Sequence, residues 1–155
     1  MLIAKKRFIA LIGIICFSFQ TFAGFLQDAE LNFGKIAISN NSIVSSVQIS
    51  RTGRTAATGN LYIIKIGNPG VYTLTEFPPF SVVNLSANVP TFSTSTIPGT
   101  QQFRLDSVDM IDTLNIDADG TAQFKIGAVL QTSGVGGTYI GPATYQINLN
   151  IDITY

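Results

Sequence analysis

Tyr145-Gln146-Ile147-Asn148-Leu149-Asn150-Ile151-Asp152-Ile153-Thr154-Tyr155 alternates apolar and polar residues without a break. Successive side chains of an extended strand point to opposite faces, so this period-two pattern builds one apolar face and one wet face. A helix of the same residues would scatter Tyr145, Ile147, Leu149, Ile151, Ile153 and Tyr155 around its circumference. The β-branched isoleucines favour the strand as well. A half-buried strand of this length needs a sheet beside it and a second layer beneath it, and the remaining sequence is read for both.

The opposite end reads as an address. Lys5, Lys6 and Arg7 precede an apolar run from Phe8 to Phe19, and Gln20-Thr21-Phe22-Ala23 offers small residues at a signal-peptidase site. The apolar run is shorter than the roughly twenty residues a membrane span requires. Cys16 follows Ile15, where lipid attachment would require a small residue. The pattern predicts a signal peptide over 1–23 and an exported domain over 24–155, with no membrane span once the signal is removed. The expected location is the periplasm, the cell surface or the extracellular space.

Beyond Ala23 there is no cysteine, histidine or tryptophan. An exported domain without cysteine stands on its apolar core rather than on disulfides. About 130 residues suffice for one such core. Six lysines and arginines face nine aspartates and glutamates there, with no basic run. That balance argues against nucleic acid and against an anionic membrane surface as partners.

Strand signals fill this region. Phe25, Ala29, Leu31 and Phe33 alternate with Asp28, Glu30 and Asn32; Gly34 permits a bend, and Ile36 and Ile38 resume the alternation. Further strands are expected over Ile43–Ile49, Val71–Phe77, Val82–Leu85, Gln101–Val108 and Thr121–Leu130. Leu61–Ile66 is apolar on both faces apart from Lys65, which suits a central strand. Residues 51–60 and 86–100 read as exposed irregular segments, and Pro78-Pro79 ends a strand. About seven to nine short strands in one domain predict an all-β fold, an antiparallel two-layer β-sandwich, with a closed barrel as the competing architecture.

Little catalytic chemistry is on offer. Without histidine or cysteine the usual nucleophile and general-base sets are incomplete, and soft-metal sites lose their common ligands. Asp106, Asp109 and Asp112 cluster in sequence, but nothing places two of them in a cleft, and a solvated edge explains them. Asn115, Asp117 and Asp119 with Gly120 follow the start of a calcium loop, yet the twelfth position is Ile126 instead of a glutamate. A hairpin turn accounts for Asp119-Gly120 without an ion. The chain is expected to be non-enzymatic, without a metal or other cofactor.

Three segments carry a resemblance: Leu31-Asn32-Phe33-Gly34-Lys35-Ile36, then Phe124-Lys125-Ile126-Gly127-Ala128-Val129-Leu130, then Gly137-Thr138-Tyr139-Ile140-Gly141 leading into the alternating terminus. Together they resemble the secreted domain-of-unknown-function family 4402, itself similar to spore-coat protein U domains and archaic chaperone–usher pilins. The resemblance implies an immunoglobulin-like sandwich and a fimbria-like or surface subunit. Pilin-type subunits lack one strand and accept an extended segment from a chaperone or the next subunit. Gly141 and Tyr155 have the separation that marks the strand bordering the acceptor groove in pilins. The resemblance thus implies an interaction surface of Gly141, Tyr145, Ile147, Leu149, Ile151, Ile153 and Tyr155. Phe25, Ala29, Leu31 and Phe33 would belong to a donor segment, Phe25–Phe33. Either that segment is the arm, used in self-association or held by a periplasmic chaperone, or the domain completes its own sandwich. The second alternative is a free module that binds a ligand or polysaccharide through its loops.

Overall fold

The computed structural model describes residues 23–89 and 92–155. The signal-peptide expectation therefore falls, except for Ala23, outside the described residues. Their regular structure is entirely β: β1 (Gly24–Ala29), β2 (Lys35–Ile38), β3 (Ser46–Ile49), β4 (Thr55–Ala57), β5 (Leu61–Lys65), β6 (Gly70–Thr75), β7 (Val82–Asn88), β8 (Thr94–Ser95), β9 (Arg104–Asp109), β10 (Thr113–Asn115), β11 (Ala122–Gln131), β12 (Tyr145–Gln146) and β13 (Asn150–Thr154). Every pairing between them is antiparallel.

β11 organises the first layer because it is the longest strand, ten residues. Phe124, Ile126, Ala128 and Leu130 point inward and are buried, while Gln123 and Lys125 are exposed. Its first half pairs with β6, which carries β1 on its other side. Its second half lies between β3, extended by β4, and β9. The facing layer holds β10-β7-β13, the short pair β12-β8 and the separate pair β2-β5.

Two apolar clusters fill the space between the layers. Leu74, Phe124 and Ile126 of the first layer meet Val83 and Leu85 of β7. Val47, Leu105, Ala128 and Leu130 meet Leu61 of β5, with Phe103 between them. Val47, Ile49, Leu74, Val83 and Ile126 are completely buried. Each such side chain contributes about 1.5–3 kcal/mol relative to remaining in water.

The first strand changes layers on its way. β1 belongs with β6 and β2 with β5, and Asn32 bridges to Asn68 at the crossing, N–H to carbonyl in both directions at 3.0 and 2.8 Å. Gly34 makes this possible: it sits at φ +79°, and a Cβ there would collide with the Lys65 carbonyl oxygen.

Three expectations need correction. Leu61–Ile66 is not a central strand: β5 pairs with β2 alone, and Tyr62, Ile64 and Ile66 are exposed. Apolarity on both faces does not reveal how many neighbours a strand has. Within 51–60, Thr55–Ala57 forms an edge strand on β3, and 86–100 holds the end of β7 and all of β8. Small and hydroxylated residues pair by backbone even where their side chains give no pattern. The strand number exceeds the expected range partly because long runs are interrupted: β12 and β13 are two hydrogen-bonded parts of one alternating segment.

Candidate functional site

The alternation of Tyr145–Thr154 survives into the fold. Tyr145, Ile147, Leu149, Ile151 and Ile153 are half-buried against the two clusters, and every residue between them is exposed. This ribbon is held on one edge only. Tyr145 and Gln146 pair with Ser95 and Thr94, and Asn150–Thr154 pair with Asn88–Asn84. No strand among the described residues pairs with its other edge.

The upper end of the ribbon is pinned by aromatic packing. Tyr145 meets Phe103 edge-on at 4.8 Å between centroids, and Phe103 meets Tyr139 at 4.7 Å. The Tyr145 hydroxyl shares a 2.8 Å hydrogen bond with Thr100, and the Tyr139 hydroxyl donates to the Gln102 carbonyl at 3.2 Å. Burial pushes the Tyr139 phenol above its ordinary value, partly opposed by the hydrogen bonds with Ser133. Gly141 lies exposed in the bend before β12. Tyr155 is 73% exposed, with its ring edge-on to Phe77 at 5.2 Å.

Across the facing layer stands a second unpaired edge. β5 lies against β3 and β4, and its one ladder is with β2, whose other edge pairs with no strand among the described residues. Ile36 and Ile38 of β2, with Leu31 and Phe33 before them, are half-buried on the cluster that also receives Tyr145, Ile147 and Leu149. No ladder joins β2 to the ribbon. β2 and the ribbon thus each keep one strand edge without a ladder, and their half-buried inward side chains pack on the same cluster. Ile36 and Ile38 were not among the expected interaction residues, although the alternation resumed after Gly34 was the signal for them.

The segment Phe25–Phe33 is divided by the crossing. Phe25 and Ala29 belong to β1, paired with β6 in the first layer, and the Phe25 ring stacks on Tyr72 at 5.2 Å. Only Leu31 and Phe33 join the ribbon's cluster. β1 is a lightly anchored edge strand, since Phe25 is 45% and Leu26 54% exposed.

The Asn115, Asp117 and Asp119 segment is a turn closed by its own carboxylate. Asp117 accepts from the Asp119 and Thr121 amides at 3.0 and 2.9 Å and from the Thr121 hydroxyl at 2.9 Å. The Thr121 amide, then its hydroxyl, hold the Asp117 carboxyl below its ordinary value. Among the described residues no group of three histidine, cysteine, aspartate or glutamate side chains is arranged to hold a metal. Of the aspartates clustered in sequence, Asp109 is tied to Arg51, accepting its backbone amide at 2.9 Å. Asp106 and Asp112 are exposed.

These features define a sandwich-like, all-β antiparallel domain whose facing strands form three separate sheets. The family model described as Domain of unknown function (DUF4402) matches residues 25–155, and the chain belongs to that family. No curated protein and no solved structure matches it.

Proposed function

We propose that the protein is a non-enzymatic, exported structural subunit, fimbria-like or displayed at the cell surface, that assembles by strand addition. One observation carries this reading: the ribbon Tyr145–Thr154 and β2 each keep an unpaired edge, and their half-covered apolar side chains share one cluster. An extended segment added along either edge would satisfy its backbone groups, and its alternate side chains would further cover Ile36, Ile38, Ile147 and Leu149. The donor is a second copy of this chain, or a periplasmic chaperone before assembly. The resemblance to archaic chaperone–usher pilins and spore-coat protein U supports the same reading.

A second reading has its own support. β1 is folded onto the chain's own β6, as a self-complete periplasmic or extracellular binding module would have it. Electrophoresis of the exported protein in mild SDS separates the two. A subunit gives a ladder that collapses on heating and is lost on deleting residues 24–33. A monomer that refolds alone to its full stability favours the module and contradicts strand addition.

A further inference from the structure

We infer that the cleft between Lys35 and Lys65 is a binding site for an oxyanion, the carboxylate or phosphate group of an extracytoplasmic ligand. The inference is independent of strand addition. Lys35 and Lys65 are directly opposite each other across β2 and β5. Like charges at directly opposite positions of an antiparallel pair repel, so this placement costs stability unless an anion lies between them. The remainder of the domain offers them no relief. The one ion pair among the described residues joins Arg51 to Asp109, and neither lysine reaches a carboxylate. Two of the six cations beyond Ala23 are thus set against each other in a domain that is acidic as a whole.

The place is also concave. Both lysines line a cleft of about 290 Å³ with Asn32, Gly34, Gly67 and Asn68. Its floor is main chain, because two glycines let the crossing segments touch: a Cβ on Gly67 would strike the Asn32 carbonyl, and one on Gly34 the Lys65 carbonyl. The side-chain amides are partly committed. Asn32 Oδ1 accepts from the Gly34 amide at 2.7 Å, and Asn68 Nδ2 donates to both the Glu30 and Pro69 carbonyls, at 2.8 and 3.1 Å. Asn32, in the same cleft, retains its Nδ2 donor. Two lysines and one free amide donor suit an acceptor-only group, and a bound oxyanion would convert the Lys35–Lys65 repulsion into two attractions.

The test is an NMR titration of the chain purified after export, with sodium glucuronate, inorganic phosphate, and sodium chloride at matched ionic strength. Saturable shifts of the Gly34, Lys35, Gly67 and Asn68 amides are expected with glucuronate or phosphate and not with chloride. Tighter binding of glucuronate assigns a carboxylate ligand, such as an acidic sugar; tighter binding of phosphate assigns a phosphate-bearing one. The Lys35→Gln/Lys65→Gln variant should weaken binding about tenfold or more with the spectrum otherwise unchanged. Lys65→Gln alone serves the same purpose if the double variant loses its fold. Absence of saturable shifts with both anions, equal shifts with chloride, or undiminished binding by the variant would overturn the assignment.

Discussion

Phe103→Ala is expected to lower the stability of the domain by about 3–5 kcal/mol, the usual cost of truncating a buried phenylalanine. Phe103 is 2% exposed and lies between the layers, touching Tyr139 and Tyr145 with its ring while its backbone is clamped to Ser93. Both tyrosines are fixed at their hydroxyls, so they cannot swing in to fill the space without breaking bonds to Thr100, Ser133 and Gln102. The cavity therefore stays open, which places the cost in the upper part of the range for such sites. Since domains of this size are stable by only about 5–15 kcal/mol, the variant should unfold at a much lower denaturant concentration. The damage should also be directional, with the β12 end of the ribbon fraying before β13. Urea unfolding followed by tyrosine near-UV circular dichroism checks both. A loss below about 1 kcal/mol would mean that Phe103 does not pin the ribbon.

Gly127→Val is the second large effect, and here two terms compete. Replacing a glycine whose φ is compatible with a side chain ordinarily stabilises by about 0.4–1 kcal/mol, because the unfolded chain loses freedom. Gly127 has no positive φ, so that gain is available to it. Space decides against it. A Cβ at Gly127 would meet the Ile49 carbonyl oxygen, with the Ser50 carbonyl carbon and the Arg51 nitrogen each at 2.5 Å. All three are backbone atoms at the end of β3, and they cannot rotate aside as a side-chain tip would. The Arg51 amide is the one that donates to Asp109, directly opposite Gly127 on β9. Displacing it strains both neighbours of β11 at once, and overpacking of this kind costs about 1–3 kcal/mol, occasionally more. Net destabilisation by urea unfolding is expected; a stabilised variant would mean that β3 and β11 approach less closely than described.

The fold was legible where one residue type had to do one thing. Phe124, Ile126, Ala128 and Leu130 fall at every second position, with Gln123, Lys125 and Gln131 among the residues between, and they occupy the inner face of the longest strand. The terminal ribbon was legible for the same reason. What alternation does not encode is the partner. Nothing in Leu31-Asn32-Phe33-Gly34 distinguishes one continuous strand from a crossing between layers, because both keep the same side chains inward. The expected donor segment was consequently undivided in the sequence and is divided in the fold. Pairing number is hidden too: Tyr62 and Ile64 read as the second face of a central strand and are exposed on a strand with one neighbour. The ribbon could be named in advance, whereas the open edge of β2 required knowing that β5 is its one ladder partner.

Residue-resolved hydrogen exchange on the purified monomer tests the ribbon's open edge most directly. In an antiparallel ladder alternate amides point to opposite edges. Asn150–Thr154 should therefore show protection at every second amide, with those between exchanging quickly, whereas Ala128–Gln131, paired on both sides, should be protected throughout. Uniform protection across Asn150–Thr154 would mean that another strand already pairs with that edge. Uniformly rapid exchange would mean that the ribbon is not held by β7 at all.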